Sequence, residues 1–203
     1  MGNQKYWEKV YSDKRFSKAS WYEQTPAVSL EFVTQLHIQK NASIIDLGGG
    51  DSCFVDHLLA LGFTDITILD ISETAINMAK QRLGNKANLI NWIVSDITNY
   101  VPDRVFDFWH DRATFHFLTS EEQVQKYLAI ARQSISPSGK MVIGTFSNTG
   151  PEKCSGLPVK QYSEISLPEM LKHWFKKIKC ITVDHLTPFN TIQNFLFCSF
   201  QKI

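Results

Sequence analysis

Residues 44–52, Ile-Ile-Asp-Leu-Gly-Gly-Gly-Asp-Ser, constrain the fold of this chain more than any other stretch. A short apolar run ends in Asp46, three glycines follow, and a helical pattern begins. A strand feeding a glycine turn leaves bare backbone that a ligand can approach. The N–H groups that open the next helix favour an anionic group there. A second apolar run, Ile66 to Leu69, ends in Asp70. A carboxylate at that strand tip suits a ribose diol, because it accepts from two hydroxyls at once. The pattern predicts a site for a nucleoside-containing cofactor.

The rest of the chain supplies the frame. Apolar runs at 43–47, 65–69, 89–94, 105–109 and 140–146 read as strands. Between them lie helical patterns at 52–61, 73–83 and 120–134 and a short turn at 97–101. Such alternation predicts a parallel sheet with helices on both faces. Two further helices, over 4–14 and 28–38, precede it. Runs at 177–185 and 192–201 are joined by a link so short that only an antiparallel hairpin fits. Residues 147–166 read as a long polar loop and a candidate lid. The expected organisation is one domain, 1–203, with a helical cap over 1–40 and a core over 41–203.

The dinucleotide fingerprint fails, because its last glycine would fall at Cys53. Asp46 would also place negative charge beside a pyrophosphate, whereas it suits an amine or a sulfonium. Here the chain resembles the class I methyltransferases that use S-adenosyl-L-methionine. Asp46, Gly48 and Gly50 match their first motif, with Ser52 in place of the third glycine. Phe106-Asp107-Phe108-Trp109 matches their fourth strand, and Ile135 to Met141 their Pro-Gly turn. The resemblance implies a Rossmann-like fold, a doubly wound and mostly parallel seven-stranded sheet in the order 3-2-1-4-5-7-6 with strand 7 antiparallel. It also implies cofactor contacts at Trp21, Asp46, Gly48, Gly49, Gly50, Asp70, Ile71, Asp96, Ile97 and His110. Asp70 would hold the ribose, Ile71 would flank the adenine, and Asp96 would accept from the adenine amino group.

Methyl transfer is an in-line displacement, so the protein mainly positions the nucleophile. A general base matters only for an acceptor that carries a proton at neutral pH. Trp109 to Phe117, at the end of strand four, holds the candidates His110, Asp111 and His116. In the competing reading, Asp111 and Arg112 pair as a surface bridge and the aromatics are core. Trp21, with Tyr6, Trp7 and Tyr11, is expected to cover the pocket and exclude water. The whole looks like a subgroup related to small seven-strand methyltransferases, some of which modify protein lysines. The acceptor is then a small molecule or a protein side chain. The alternatives are a non-catalytic nucleoside-binding module and an NAD(P)-dependent oxidoreductase, which Cys53 and Asp46 disfavour.

A net charge of +1 gives no general attraction for nucleic acid or acidic membranes. No Asn/Asp-Pro-Pro-aromatic run of the kind used for nucleic-acid amino methylation follows strand four. Lys172, Lys176, Lys177 and Lys179 read as a solvated face. No apolar run reaches membrane-spanning length, so the expected location is cytoplasmic, as a monomer or weak homodimer. No spaced ligand set argues for a metal. Cys53, Cys180 and Cys198 lie in apolar surroundings and are expected as buried thiols, with Cys154 in a polar loop.

Overall fold

The structure, a computed structural model, describes residues 2–13 and 19–203. Lys14, the last residue of the expected first helix, lies outside that range. A seven-stranded sheet runs through the molecule. Its first five strands are parallel: β1 (Ser43–Leu47), β2 (Asp65–Asp70), β3 (Ile90–Val94), β4 (Phe106–Arg112) and β5 (Ile135–Phe146). A two-stranded hairpin, β6 (Lys153–Cys154) and β7 (Leu157–Pro158), stands apart from it. The tail adds β8 (Phe175–Leu186) and β9 (Ile192–Lys202), and β9 pairs antiparallel with β5. The spatial order is β3-β2-β1-β4-β5-β9-β8. Among the seven strands of the sheet, this is the expected 3-2-1-4-5-7-6 with its reversed seventh strand.

The helices are α1 (Gly2–Asp13), α2 (Ala27–Gln35), α3 (Phe54–Ala60), α4 (Glu73–Leu83), α5 (Glu121–Ser134) and α6 (Ser166–Leu171). Parallel strands buried on both faces need apolar residues at every position, and β1 and β2 provide them. On one face, Ile45, Leu47, Trp109 and Met141 pack with Tyr127 and Leu128 of α5 and Leu167 of α6. On the other, Ile44, Ile68, Phe108 and Val142 pack with Phe32 of α2 and Phe54 and Leu58 of α3. Each such fully buried side chain is worth about 1.5–3 kcal/mol. α5 starts on a capping box in which Ser120 and Gln123 satisfy each other's backbone N–H.

Three expectations change. The span 147–166 is not plain loop: it holds the β6–β7 hairpin, and Ser147 bridges to Tyr162. α6, too short for a periodicity signal, was not foreseen. Cys180 and Cys198 are not thiols. They face each other across the β8–β9 register and form a disulfide, S–S 2.05 Å. Their separation of 18 residues spans a hairpin, so the pairing follows from register and carries no local motif. The lysines at 176, 177 and 179 are exposed along the edge strand β8, where charge discourages strand addition. Among the described residues, no helix is long and apolar enough to cross a membrane.

Candidate active site

A cavity opens at the carboxyl ends of β1, β2, β3 and β4, where a doubly wound sheet places its ligand. Leu69, Asp70, Ile71, Ser95, Asp96 and Ile97 line one side. Trp7, Trp21, Phe117, Arg112, Thr114 and Cys154 line the other. A smaller cavity adjoins it, walled by Asp46, Gly48, Gly49 and His110, with Trp21 and Arg112 shared between the two.

The glycine turn is shaped by contact. Gly48 adopts φ +61°, and a Cβ there would sit 1.9 Å from Thr114 Oγ1. At Gly50, φ +36°, a Cβ would lie 2.8 Å from Asp70 Oδ2 and 3.0 Å from the Tyr11 hydroxyl. Only glycine leaves the Asp70 carboxylate room to meet a ligand. Asp70 is buried and accepts from Ser72 N at 2.8 Å. Burial, with help from Asp46 and Glu8, pushes its carboxyl up to about 7. A buried acid with such a penalty gains from two hydroxyl donors, and a ribose supplies them. Asp96 also lines the cavity, and its Oδ1 is engaged by Thr98 N and Oγ1 at 2.9 and 2.8 Å.

α1 lies across the mouth. Trp7 meets Phe117, Trp21 and Tyr11 at centroid distances of 5.1, 6.0 and 6.2 Å. Glu8 fastens the helix: its carboxylate accepts from Glu73 N, Thr74 N and Ser72 Oγ at 2.7, 3.1 and 3.0 Å. A side chain of α1 thus caps α4, where the exposed N–H groups and the helix dipole favour an anion. The Tyr6 hydroxyl donates to the Ser155 carbonyl and ties α1 to the β6–β7 turn. Glu8→Ala should lose about 1 kcal/mol of capping and raise hydrogen exchange across α1 with little change in the core amides. Equal protection of α1 in both proteins would count against this anchoring.

The structure does not bring His110, Asp111 and His116 together. Side chains alternate along β4, so His110 and Arg112 face α2 and the cavities while Asp111 faces α5. His110 is buried, with Nδ1 at 2.6 Å from Asp46 Oδ1 and Nε2 at 2.9 Å from Ser29 Oγ. Phe54 covers its ring at 4.3 Å. Asp111 lines neither cavity. It accepts from Thr114 N, Phe115 N and the Tyr127 hydroxyl at 3.0, 3.1 and 2.9 Å, and burial lifts its carboxyl to about 6. His116 is fully buried, accepts from Phe146 N, and is held neutral by burial and Arg112, with its pKa lowered to about 3. Asp107 sits at the opposite end of β4, bracing Ser43 and Ser136.

The residue that sequence reasoning missed is Arg112. It does not pair with Asp111. Its Nη1 donates to the Trp21 carbonyl at 3.0 Å, and its Nη2 lies 3.2 Å from Glu23 Oε1. Glu23 Oε1 also lies 3.2 Å from His185 Nδ1, and His185 Nε2 lies 2.8 Å from the Ser20 carbonyl. The segment carrying Trp21 is therefore pinned to β4 and β8 from both sides. The period-two count from Trp109 was the one available signal for Arg112. Among the described residues, no group of His, Cys, Asp and Glu could hold a metal ion.

Fold and cavity together define a nucleoside-dependent transferase of the doubly wound class, and comparison with known proteins specifies it. Residues 45–143 match the methyltransferase domain family. Malonyl-[acyl-carrier protein] O-methyltransferase 1 of Ilyobacter polytropus is 27% identical over 206 residues, covering 93% of this chain and 75% of that protein. The eEF1A lysine and N-terminal methyltransferase of Mus musculus is 31% identical over 127 residues, which cover 61% of this chain and 18% of that one. Among solved structures, the enzyme that converts a disulfide bond into a thioacetal group during echinomycin biosynthesis superposes with a TM-score of 0.81 at 17% identity, covering 98% and 92% of the two chains. The 1,6-didemethyltoxoflavin-N1-methyltransferase of Burkholderia thailandensis gives 0.70 at 18%, covering 99% and 84%. The chain belongs to the class I S-adenosylmethionine-dependent methyltransferases. Its cofactor is S-adenosyl-L-methionine, and its reaction is methyl transfer.

Proposed function

We propose that the larger cavity seats the adenosyl part of S-adenosylmethionine and the smaller one its methionyl part. Asp70 holds the ribose hydroxyls, with Ile71 and Ile97 flanking the adenine and Asp96 reaching its amino group through the oxygen that Thr98 leaves open. Asp46, Gly48 and Gly49 face the methionyl end, where the Asp46 carboxylate favours the ammonium. His110 serves as a positioning residue that holds Asp46. Trp7, Tyr11 and Trp21 close the mouth and exclude water. Residues 1–203 work as one domain, with 1–40 as its cap.

The observation that carries this reading is Asp70, a buried carboxylate set against a glycine that a Cβ would close off. The bound cofactor supplies an activated methyl group. The protein's own residues hold it, shield it and present the acceptor in line. The acceptor is a small molecule or a protein side chain, as the names of the relatives illustrate for those proteins. Trp7 and Trp21 flank the cavity, so titration with S-adenosylhomocysteine should change tryptophan fluorescence and saturate, while NADH should not compete. NADH binding that excludes S-adenosylhomocysteine would contradict the assignment.

A further inference from the structure

We propose that the methyl acceptor is a carboxylate anion, anchored by Arg112, and that the product is a methyl ester. The proposal rests on the cofactor placement given above and deepens it. It comes from asking which side chain at the cavity could take a proton from an acceptor, and which could hold the acceptor.

No described residue at the cavity is placed to act as a base. The two ring nitrogens of His110 are occupied by Asp46 and Ser29. His116 and Asp111 are fully buried and line neither cavity. Glu23 is shared by Arg112 and His185. Tyr11 is held protonated, its phenol pushed far up by burial and by Asp70. Asp70 and Asp96 stand on the side assigned to the adenosine. An acceptor at this site must therefore arrive without a proton to lose.

Ordinary ionisation selects the acceptor. A lysine amine, at about 10.4, a thiol, at about 8.5, and a phenol, at about 10, all carry their proton at pH 7, whereas a carboxyl near 4 does not. Arg112 selects the same sign of charge. It lines both cavities, and its Nε is shut off from solvent without a hydrogen-bond partner. A buried guanidinium donor left open is costly unless an acceptor meets it, and a carboxylate is the anion that matches its planar fork. The walls of Trp7, Trp21 and Phe117 strip water from that anion, which raises its attraction to a cationic sulfonium.

The step balances without a base. One carboxylate oxygen forms the new C–O bond to the methyl carbon. The C–S bond breaks, its electron pair stays on sulfur, and S-adenosylhomocysteine leaves with the neutral ester. No proton is released.

The test is chemical. The enzyme is incubated with cell extract and S-adenosylmethionine carrying a tritiated methyl group, and the products are treated with mild alkali. Most of the transferred label should be released as volatile methanol. Label that resists alkali, or no transfer to carboxylate-bearing molecules, overturns the proposal. At saturating cofactor the rate should stay level from pH 6 to 9. A tenfold rise per pH unit would instead report an acceptor losing a proton. Arg112→Gln should raise the acceptor KM at least tenfold while leaving the calorimetric affinity for S-adenosylmethionine unchanged, and Arg112→Lys should restore part of the loss. A fall in cofactor affinity with unchanged acceptor KM would assign Arg112 to the methionyl carboxylate and sink the proposal. If S-adenosylmethionine fails to bind the unaltered protein in these cavities, the cofactor placement fails, a result separate from either outcome above.

Discussion

His110→Ala is expected to destabilise the protein by about 3–5 kcal/mol, the range for removing one partner of a buried charged pair. His110 and Asp46 lie on adjacent strands β4 and β1 in direct register, both almost solvent-free. Removing the imidazole leaves the Asp46 carboxylate buried beside an empty volume, and Ser29 Oγ loses its partner as well. For a chain of this size each kcal/mol shifts the melting temperature by about 2–4 °C, so thermal unfolding should fall by roughly 6–20 °C. Ser29→Ala removes one neutral hydrogen bond and should lose only about 1 kcal/mol. An unchanged melting temperature with a collapsed kcat would show instead that His110 is a catalytic base.

The second large effect is on the cofactor. Asp70→Asn keeps an oxygen for Ser72 N but removes the charge that strengthens hydrogen bonds from a ribose. Hydrogen bonds to a charged group are worth about 1.5–3 kcal/mol, so affinity for S-adenosylmethionine should weaken by roughly 10–100-fold. Stability should move the other way. The folded carboxyl lies at about 7, above its ordinary 3.8. Between those values the folded chain holds a proton that the unfolded chain has lost, so stability falls as pH rises from about 4 to 7. In Asp70→Asn that contribution vanishes, and the cofactor-free protein should be at least as stable as the unaltered one at pH 8. Cofactor affinity of the unaltered protein should climb with pH up to about 7 and then level off, a dependence that the variant loses. Calorimetry and thermal melts across pH 5–9 check both signs. A variant that binds normally, or that unfolds early while still binding, would remove Asp70 from the ribose.

How far these sites could be read from sequence depends on how local each one is. The strands, the main helices, the tail hairpin and the glycine turn were legible, because runs of Ile, Leu and Val, a capping Ser72 and the Gly48–Gly50 bend act within a few residues. Gly48 shows the limit: its positive φ suits glycine locally, yet what forbids a Cβ is Thr114, brought in from the end of β4. Glu8 was illegible as a helix cap, since the N–H groups it serves lie 65 and 66 positions away. The α6 helix was missed because six residues give too few turns for a periodic signal.

By itself the sequence determined the order and type of the elements and the acids at the strand tips, because hydrophobic period and glycine content act over short spans of chain. The tertiary structure alone decided the faces and the partners. It turned His110 toward Asp46 and Asp111 toward Tyr127, aimed Arg112 at the cavity, and set Cys180 opposite Cys198. These outcomes depend on strand register and on which face meets which helix. Both are fixed only when the two sides of the sheet bury their apolar residues together.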